Sequence, residues 1–568
     1  MVKGIVTTGI LGVTGSLRGA TTTTASSTQA DAITPDDLAA IDKVSGRHFT
    51  DKQREMMVEN ATAKRELLVN LRARKIDPNI EPAVHFDPRI PGVSYPSGSS
   101  NCVLSDGPTP SYDGDSESLA FATVAQLSRL IHSKKITSTQ LTTMYLDRLK
   151  RIGPRLNCVI TLTEELALAQ AKRADKELAN GKSRGPLHGI PWGAKDLLAT
   201  KGIPTTWGVK PYAERIFDED ATVVKRLEEA GAVLVAKLSM GELAMGDVWF
   251  NGLTRNPWKP STGSSGSSAG PGAATAAGLV AFAIGSETLG SIISPCITNG
   301  VTGLRPTYGR VSRFGAMALA RTMDKLGPMA RGVEDCALIL SAIHGPDDRD
   351  PTATNIPFNW PGPGDLKSLR VGIAQADVDG VLKGKNAEKT KALKAAIDKV
   401  GELVGELKPI TLPPTKNYTG LASLTIACES ASNFTELTNS ELIDQLKQQD
   451  AGSWPNTFRV GSTIPASDYL RAQQVRTQLQ REMNEAMKDV DCYVTIPYAG
   501  PTVAYTNLTG HPSLVTRCGM FDDLPLSIEF VGDLYREDAI LRLGLAFEQA
   551  TEWHKQWPDT TKIPELKN

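Results

Sequence analysis

Two Gly/Ser turns bracket a small-residue apolar run, and together they hold the residue types from which an acyl-transfer site can be built. The first turn lies in PSTGSSGSSAGP, Pro260 to Pro271; the second is Gly285-Ser286-Glu287-Thr288-Leu289-Gly290-Ser291. Small residues let backbone approach backbone, and successive N–H groups in a tight turn can converge on one oxygen. A serine closing such a turn, Ser291, would stand beside donors able to hold an oxyanion. Gly/Ser composition alone would equally suit a flexible linker. A linker, however, does not run straight into an Ala/Val/Ile segment that needs burial, Ala273 to Ile284, with a second turn following at once. Pro271 suits the first position of the helix expected there.

A serine nucleophile needs a base. The chain has seven histidines, none in or next to these turns. A lysine can serve instead, because a buried ammonium loses its proton readily. The run from Leu187 to Asp196, LHGIPWGAKD, places Lys195 at the end of a short apolar, strand-like stretch. Lys237 in AKLSMGELAMG is a second base by charge alone, and Cys296, shortly past Ser291, a second nucleophile by type alone.

GIPWGAKD, GSSGSSAG and ETLGSI, in this order, resemble the amidase signature family, the Ser-Ser-Lys hydrolases of amide bonds. The resemblance implies that Lys195 is a neutral base at the head of a proton relay. It makes Ser267 the bridging serine, behind a cis Gly266–Ser267 peptide bond, and Ser291 the nucleophile. The N–H groups of Thr288, Leu289, Gly290 and Ser291 match the oxyanion hole. A register with Ser264 or Ser265 as the bridge fits less well, because Ala276-Ala277-Gly278-Leu279 fixes the alignment downstream. Three residues depart from the family pattern: Glu287 for Asp, Leu289 for Gly and Ile293 for Arg. The last removes a cation that commonly braces the site, so what it ties down must be held otherwise. Gly303–Arg310 and Met323–Arg331 are further family blocks, in which Arg305 and Asp324 read as structural residues bracing the loops. The resemblance covers roughly residues 118–555.

These residues need a scaffold. Strand-like runs alternating with helical ones, among them Asn157–Thr163, Glu164–Asn180 and Ala232–Ala236, indicate a sheet covered by helices. The expected fold is α/β: a large mixed β-sheet core with helices on both faces, the amidase signature fold, plus an N-terminal helical appendage. Residues 1–30 read as a secretory signal or a disordered tail, 31–95 as the appendage and 96–117 as a linker or wrapping arm. Residues 118–556 form the amidase signature domain, with 366–490 a variable substrate-side insertion, and 557–568 a C-terminal tail. Within the appendage a helix from about Thr50 to Lys75 carries Met56, Met57, Leu67, Leu68 and Leu71 along one side, a stripe expected to pack as core, with a homodimer contact the other reading. In the insertion Phe434, Trp454, Phe458 and Tyr469 are candidate pocket walls.

Composition excludes several classes. A formal net charge of -1 argues against a bulk-charge nucleic-acid surface. The apolar stretch 273–284 is too short to span a membrane. Seven scattered cysteines form no CxxC or Cys/His motif, so neither zinc nor any other cofactor is expected. Sequons begin at Asn60, Asn417, Asn433 and Asn507; the protein would be secreted or periplasmic if residues 1–30 are a signal peptide, cytoplasmic otherwise. The expected activity is hydrolysis of a small-molecule or peptide carboxamide to acid and amine or ammonia through a Ser291 acyl-enzyme. A glutaminase-type subunit of a tRNA-dependent amidotransferase and an inactive binding protein that keeps the fold are the alternatives.

Overall fold

The computed structural model describes residues 32–362 and 364–565; the signal-or-tail segment 1–30 lies outside them. The chain divides into two compact units, at Lys75/Ile76. In the first, α1 (Pro35–Ser45) starts at a Thr34–Asp37 capping box and stops at Gly46, whose φ of 67° only glycine adopts without penalty. Helix α2 (Asp51–Arg72) starts at a second box, Thr50–Gln53. No residue of α2 is buried, and Met56, Leu67, Leu68 and Leu71 are exposed. Within this unit the stripe expected as core is uncovered, and residues 59–66, almost wholly polar, split its apolar positions into two short patches.

Residues 76–95 belong with the second unit and not with the helical one. Phe86 packs edge-on against Tyr308 with ring centroids 5.1 Å apart, and Glu81 pairs with Arg321 at 2.7 Å. In the following arm Asn101–Cys102 pairs in parallel with Asn359–Trp360. Helices α3 (Val124–His132) and α4 (Ser138–Leu156) come next. The cap of α4 is Thr137, in a box with Gln140. Ser138 Oγ donates to the Gly189 carbonyl at 2.9 Å.

The sheet of the second unit has eleven strands. In chain order these are β1 (Val159–Leu162), β2 (Pro191–Lys195), β3 (Val233–Leu238), β4 (Phe282–Glu287), β5 (Thr302–Arg305) and β6 (Lys325–Ala330). The rest are β7 (Val371–Ala374), β8 (Lys408–Ile410), β9 (Cys492–Thr495), β10 (Ser513–Phe521) and β11 (Leu524–Gly532). Their order across the sheet is β8-β7-β9-β11-β10-β5-β6-β4-β2-β3-β1. It is mixed: β2 runs parallel to both β3 and β4, whereas β4 runs antiparallel to β6. Helices pack over it as expected, α5 (Glu164–Ala179) and α6 (Thr222–Glu229) against β3 among them. From β2 the chain winds to β3 on one side and then returns to β4 on the other. Such a switch point leaves a crevice beyond the carboxyl ends of the strands. Lys195 ends β2 and Glu287 ends β4.

Helix α7 (Ala269–Ala276) begins two residues before Pro271, and α8 (Ile293–Asn299) follows the second turn. Residues 507–509 are the last turn of a helix, Thr502–Thr509. Asn507 is fully buried there, so that sequon is structural. Near the end of the described residues Trp557 stacks on Phe121, and Ile563 is buried. Among the described residues no helix is long and apolar enough to cross a membrane.

Candidate active site

Lys195 is fully buried at the end of β2, and its Nζ lies among three hydroxyls. Ser267 Oγ is 2.8 Å away, Ser286 Oγ 2.8 Å and Ser268 Oγ 3.0 Å. No carboxylate lies within ion-pair distance of it among the described residues. Burial therefore drives its pKa well below 10.5, and the more distant Asp324 and Glu287 carboxylates reverse this only in part. The surroundings suit a neutral amine. Ser268 Oγ donates its one hydrogen to the Ser286 carbonyl at 3.1 Å and accepts the Ser286 N–H at 3.2 Å. Toward the lysine it can only accept. A neutral amine needs only two hydrogens for Ser268 and Ser286 and would turn its lone pair to Ser267, whereas an ammonium would donate to all three.

Ser267 follows a cis Gly266–Ser267 peptide bond. Ser264 and Ser265 point elsewhere. Ser265 shares a hydrogen bond with Ser294 at 2.7 Å and donates its N–H to Asp247 at 2.8 Å, while Ser264 Oγ donates to the Ser265 carbonyl. The alternative register thus has no path to Lys195. Lys237 is occupied: it pairs with Asp196 at 3.0 Å and donates to Thr205 Oγ1 at 2.7 Å. Cys296 is fully buried in an apolar cluster, and burial pushes its thiol well above 9.0.

The second turn leaves β4 and is anchored by Glu287. Its Oε2 accepts the N–H groups of Ile292 and Ile293 at 2.8 and 2.9 Å, and Oε1 accepts from Arg305 Nη1 and Asn507 Nδ2, both at 2.7 Å. Burial opposes ionisation of Glu287, but these donors outweigh it and hold its pKa at about 2. Arg305 supplies a cation here, while Ile293 lies buried with Val503 and Val515. Thr288 Oγ1 donates to Asp324 Oδ1 at 2.6 Å, so Asp324 braces the turn. Gly290 has φ +85°, and a Cβ there would lie 2.4 Å from Tyr498 Oη. The N–H groups of Leu289, Gly290 and Ser291 donate to no other group among the described residues. The Ser291 carbonyl accepts the Ser268 N–H at 3.2 Å, which ties the two turns together. The Ser291 hydroxyl itself bonds to none of the described residues.

The structure thus brings Lys195 and Ser267 into contact and sets Ser291 in the adjoining turn. Sequence reasoning missed Ser268, Ser286 and Tyr498; serines within a Ser-rich segment carry no signal that separates them. The expected aromatic walls are core instead: Phe434 and Trp454 each stack on Phe458, and all three are buried. Tyr469 donates to Glu429 at 2.8 Å. A narrow cavity beside Ser286 and Thr288 is lined by other residues, including Leu197, Ala244, Met317 and Leu319. Among the described residues no three His, Cys, Asp or Glu side chains are grouped to hold a metal ion.

A family model described as Amidase matches residues 140–503. A glutamyl-tRNA(Gln) amidotransferase subunit from Roseiflexus sp. (strain RS-1) is 35% identical over 470 residues, 75% of this chain and 95% of that protein. The native peptide amidase of Stenotrophomonas maltophilia superposes with a TM-score of 0.70 at 28% identity, covering 78% of this chain and 99% of the other. For the corresponding glutamyl-tRNA(Gln) amidotransferase subunit of Thermotoga maritima the TM-score is 0.65 at 25% identity, covering 80% and 99%.

Proposed function

The chain belongs to the amidase family, and from that premise we propose that it hydrolyses a small-molecule or peptide carboxamide through an acyl-enzyme on Ser291. The observation that carries this reading is a buried lysine with no ion-pair partner, 2.8 Å from Ser267 Oγ. The amine of Lys195 takes the Ser267 proton as Ser267 takes that of Ser291, and Ser291 Oγ attacks the amide carbon. The carbonyl oxygen becomes an oxyanion facing the N–H groups of Thr288, Leu289, Gly290 and Ser291, each donor of this kind contributing about 2.7–4 kcal/mol in comparable enzymes. The proton returns through Ser267 to the leaving nitrogen as the C–N bond breaks. Water, activated along the same path, then releases the carboxylic acid and restores Ser291. The open Ser291 hydroxyl fits this scheme, since such contacts tighten only with substrate in place. Esters of the same acids are expected to react too.

A second reading has specific support. At 35% identity over most of its length the chain resembles a glutamyl-tRNA(Gln) amidotransferase subunit, and a glutamine-hydrolysing subunit would use the same residues. Sequence likeness speaks for this reading more directly than for the first. The structural fit, 0.70 to the peptide amidase against 0.65, speaks for the free-standing hydrolase. The deciding experiment is amine or ammonia release from a panel of carboxamides that includes glutamine and C-terminal peptide amides, with Ser291→Ala as the blank. Turnover of peptide or simple amides by the isolated chain supports the first reading. Turnover of glutamine alone supports the second. No turnover, and no labelling by a fluorophosphonate, leaves an inactive binding protein.

A further inference from the structure

The cavity beside Ser286 and Thr288 has one wall that lies outside the family-matched region: Pro78, Asn79 and Glu81. Resting on the hydrolase reading, we propose that this segment is a strap that closes the acyl side of the site. Its substrates are then amides of short, compact carboxylic acids, and Arg321 is the latch that sets this limit.

The strap is stiff in itself and tied at several points. Asp77 Oδ1 accepts the Asn79 N–H at 2.8 Å and the Asp77 carbonyl accepts that of Ile80 at 3.0 Å, a closed turn. Arg321 donates to the Pro78 carbonyl at 2.6 Å and to Glu81 Oε1 at 2.7 Å. Asn79 Oδ1 accepts the Gly315 N–H at 3.2 Å, and Arg313 reaches Glu81 at 3.4 Å. Arg313 is itself fixed by Asp350 through two bonds of 2.9 and 3.0 Å and donates to the Arg321 carbonyl, so the latch is braced from behind.

The same loop that carries the latch also carries the brace of the oxyanion turn. Leu319 and Ala320 donate their N–H groups to Asp324 Oδ2 at 2.8 and 3.0 Å, and Asp324 Oδ1 holds Thr288. Residues 319–324 therefore fix the distance between strap and reacting centre, and an acyl chain must fit in the space between. The charged side chains of the lining are engaged, Glu81 with Arg313 and Arg321 and Asp324 with Thr288, Leu319 and Ala320, which leaves Ala316 and Met317 among the walls that suit an uncharged acyl group.

The test compares kcat/KM for acyl p-nitroanilides from acetyl to octanoyl in the wild type, Arg321→Ala and the milder Glu81→Gln. Labelling of Ser291 by short- and long-chain alkyl fluorophosphonates is measured alongside. The wild type is expected to lose about tenfold or more once the acyl chain outgrows the cavity. Both variants should raise the octanoyl-to-acetyl ratio, Arg321→Ala by about tenfold. An unchanged ratio in both folded variants, with Ser291 still reactive, overturns the strap alone. A Ser291 inert to every probe overturns the hydrolase reading and the strap with it.

Discussion

Glu287 and Arg305 form an ion pair of 2.7 Å with both side chains fully buried. The carboxylate also gathers two backbone N–H groups and Asn507, so it ties strand end, turn and following helix into one unit. Glu287→Gln leaves the guanidinium without its counter-charge, and breaking a buried pair this way costs about 3–5 kcal/mol. The folded pKa of about 2 lies below the ordinary 4.5. Stability from this group is thus full above 4.5 and is lost as pH falls from there toward 2. Urea melts at several pH values should show that loss in the wild type and a smaller one in Glu287→Gln; an equal acid slope would refute the assignment.

Ser291→Ala is expected to abolish amide hydrolysis. Lys195→Ala and Ser267→Ala should each lower kcat by about 10²–10⁴-fold, the range for a positioned proton carrier. Fluorophosphonate labelling should vanish in the first variant and slow in the other two. Near wild-type turnover in Lys195→Ala would remove the lysine from the mechanism.

In the proposed mechanism Lys195 acts as a neutral base, so activity should rise with pH through its folded pKa, which lies well below 10.5. Folding carries the opposite signature. The unfolded chain binds a proton on this lysine as pH drops below 10.5 while the folded chain does not, so the native state loses stability down to the folded pKa. Subtracting the pH–stability curve of Lys195→Met from that of the wild type isolates the effect. A difference that stays flat below about pH 10 would contradict a depressed pKa.

Gly290→Ala tests the turn. A left-handed φ costs a non-glycine residue about 1–2 kcal/mol, and the added Cβ also meets Tyr498 Oη. Tyr498→Ala should relieve the second effect and not the first. The expected result is a fall in kcat in Gly290→Ala with KM nearly unchanged, only partly restored in the double variant.

All seven cysteines are free, and five of them are buried. Burial lifts the thiols of Cys158, Cys492 and Cys518 to about 12 and that of Cys296 well above 9.0. Neutral-pH iodoacetamide should therefore leave hydrolysis intact. Inactivation that tracks modification of Cys296 would revive it as a nucleophile.

Much of the site is legible in the sequence because local pattern sets it. An apolar run ending in Lys195 must be a buried strand end, and glycines around Ser267 and Ser291 mark turns that admit no bulk. The alternation of elements likewise gives the sheet class. What the sequence hides is contact between distant segments. Arg305 reads as a brace without its partner Glu287 being legible, nothing points to Asn507, and nothing in Pro78–Glu81 points to a cavity wall. The aromatic residues mislead for a related reason: Phe434, Trp454 and Phe458 satisfy one another by stacking, which composition cannot separate from lining a pocket. The Met/Leu positions of α2 mislead because a helical period states which face is apolar and not whether anything covers it.

The grip of Asn507 on Glu287 has a bearing on biosynthesis. Lys195, Ser267 and Ser291 have all left the ribosome long before Asn507 does, and β6, which pairs with β4, is also made after Ser291. Until the carboxyl-terminal third docks, the oxyanion turn lacks one of the hands that shape it. A nascent chain carrying the complete set of signature motifs should stay chemically silent, and ribosome-stalled intermediates ending before that asparagine should not take up a serine-directed label.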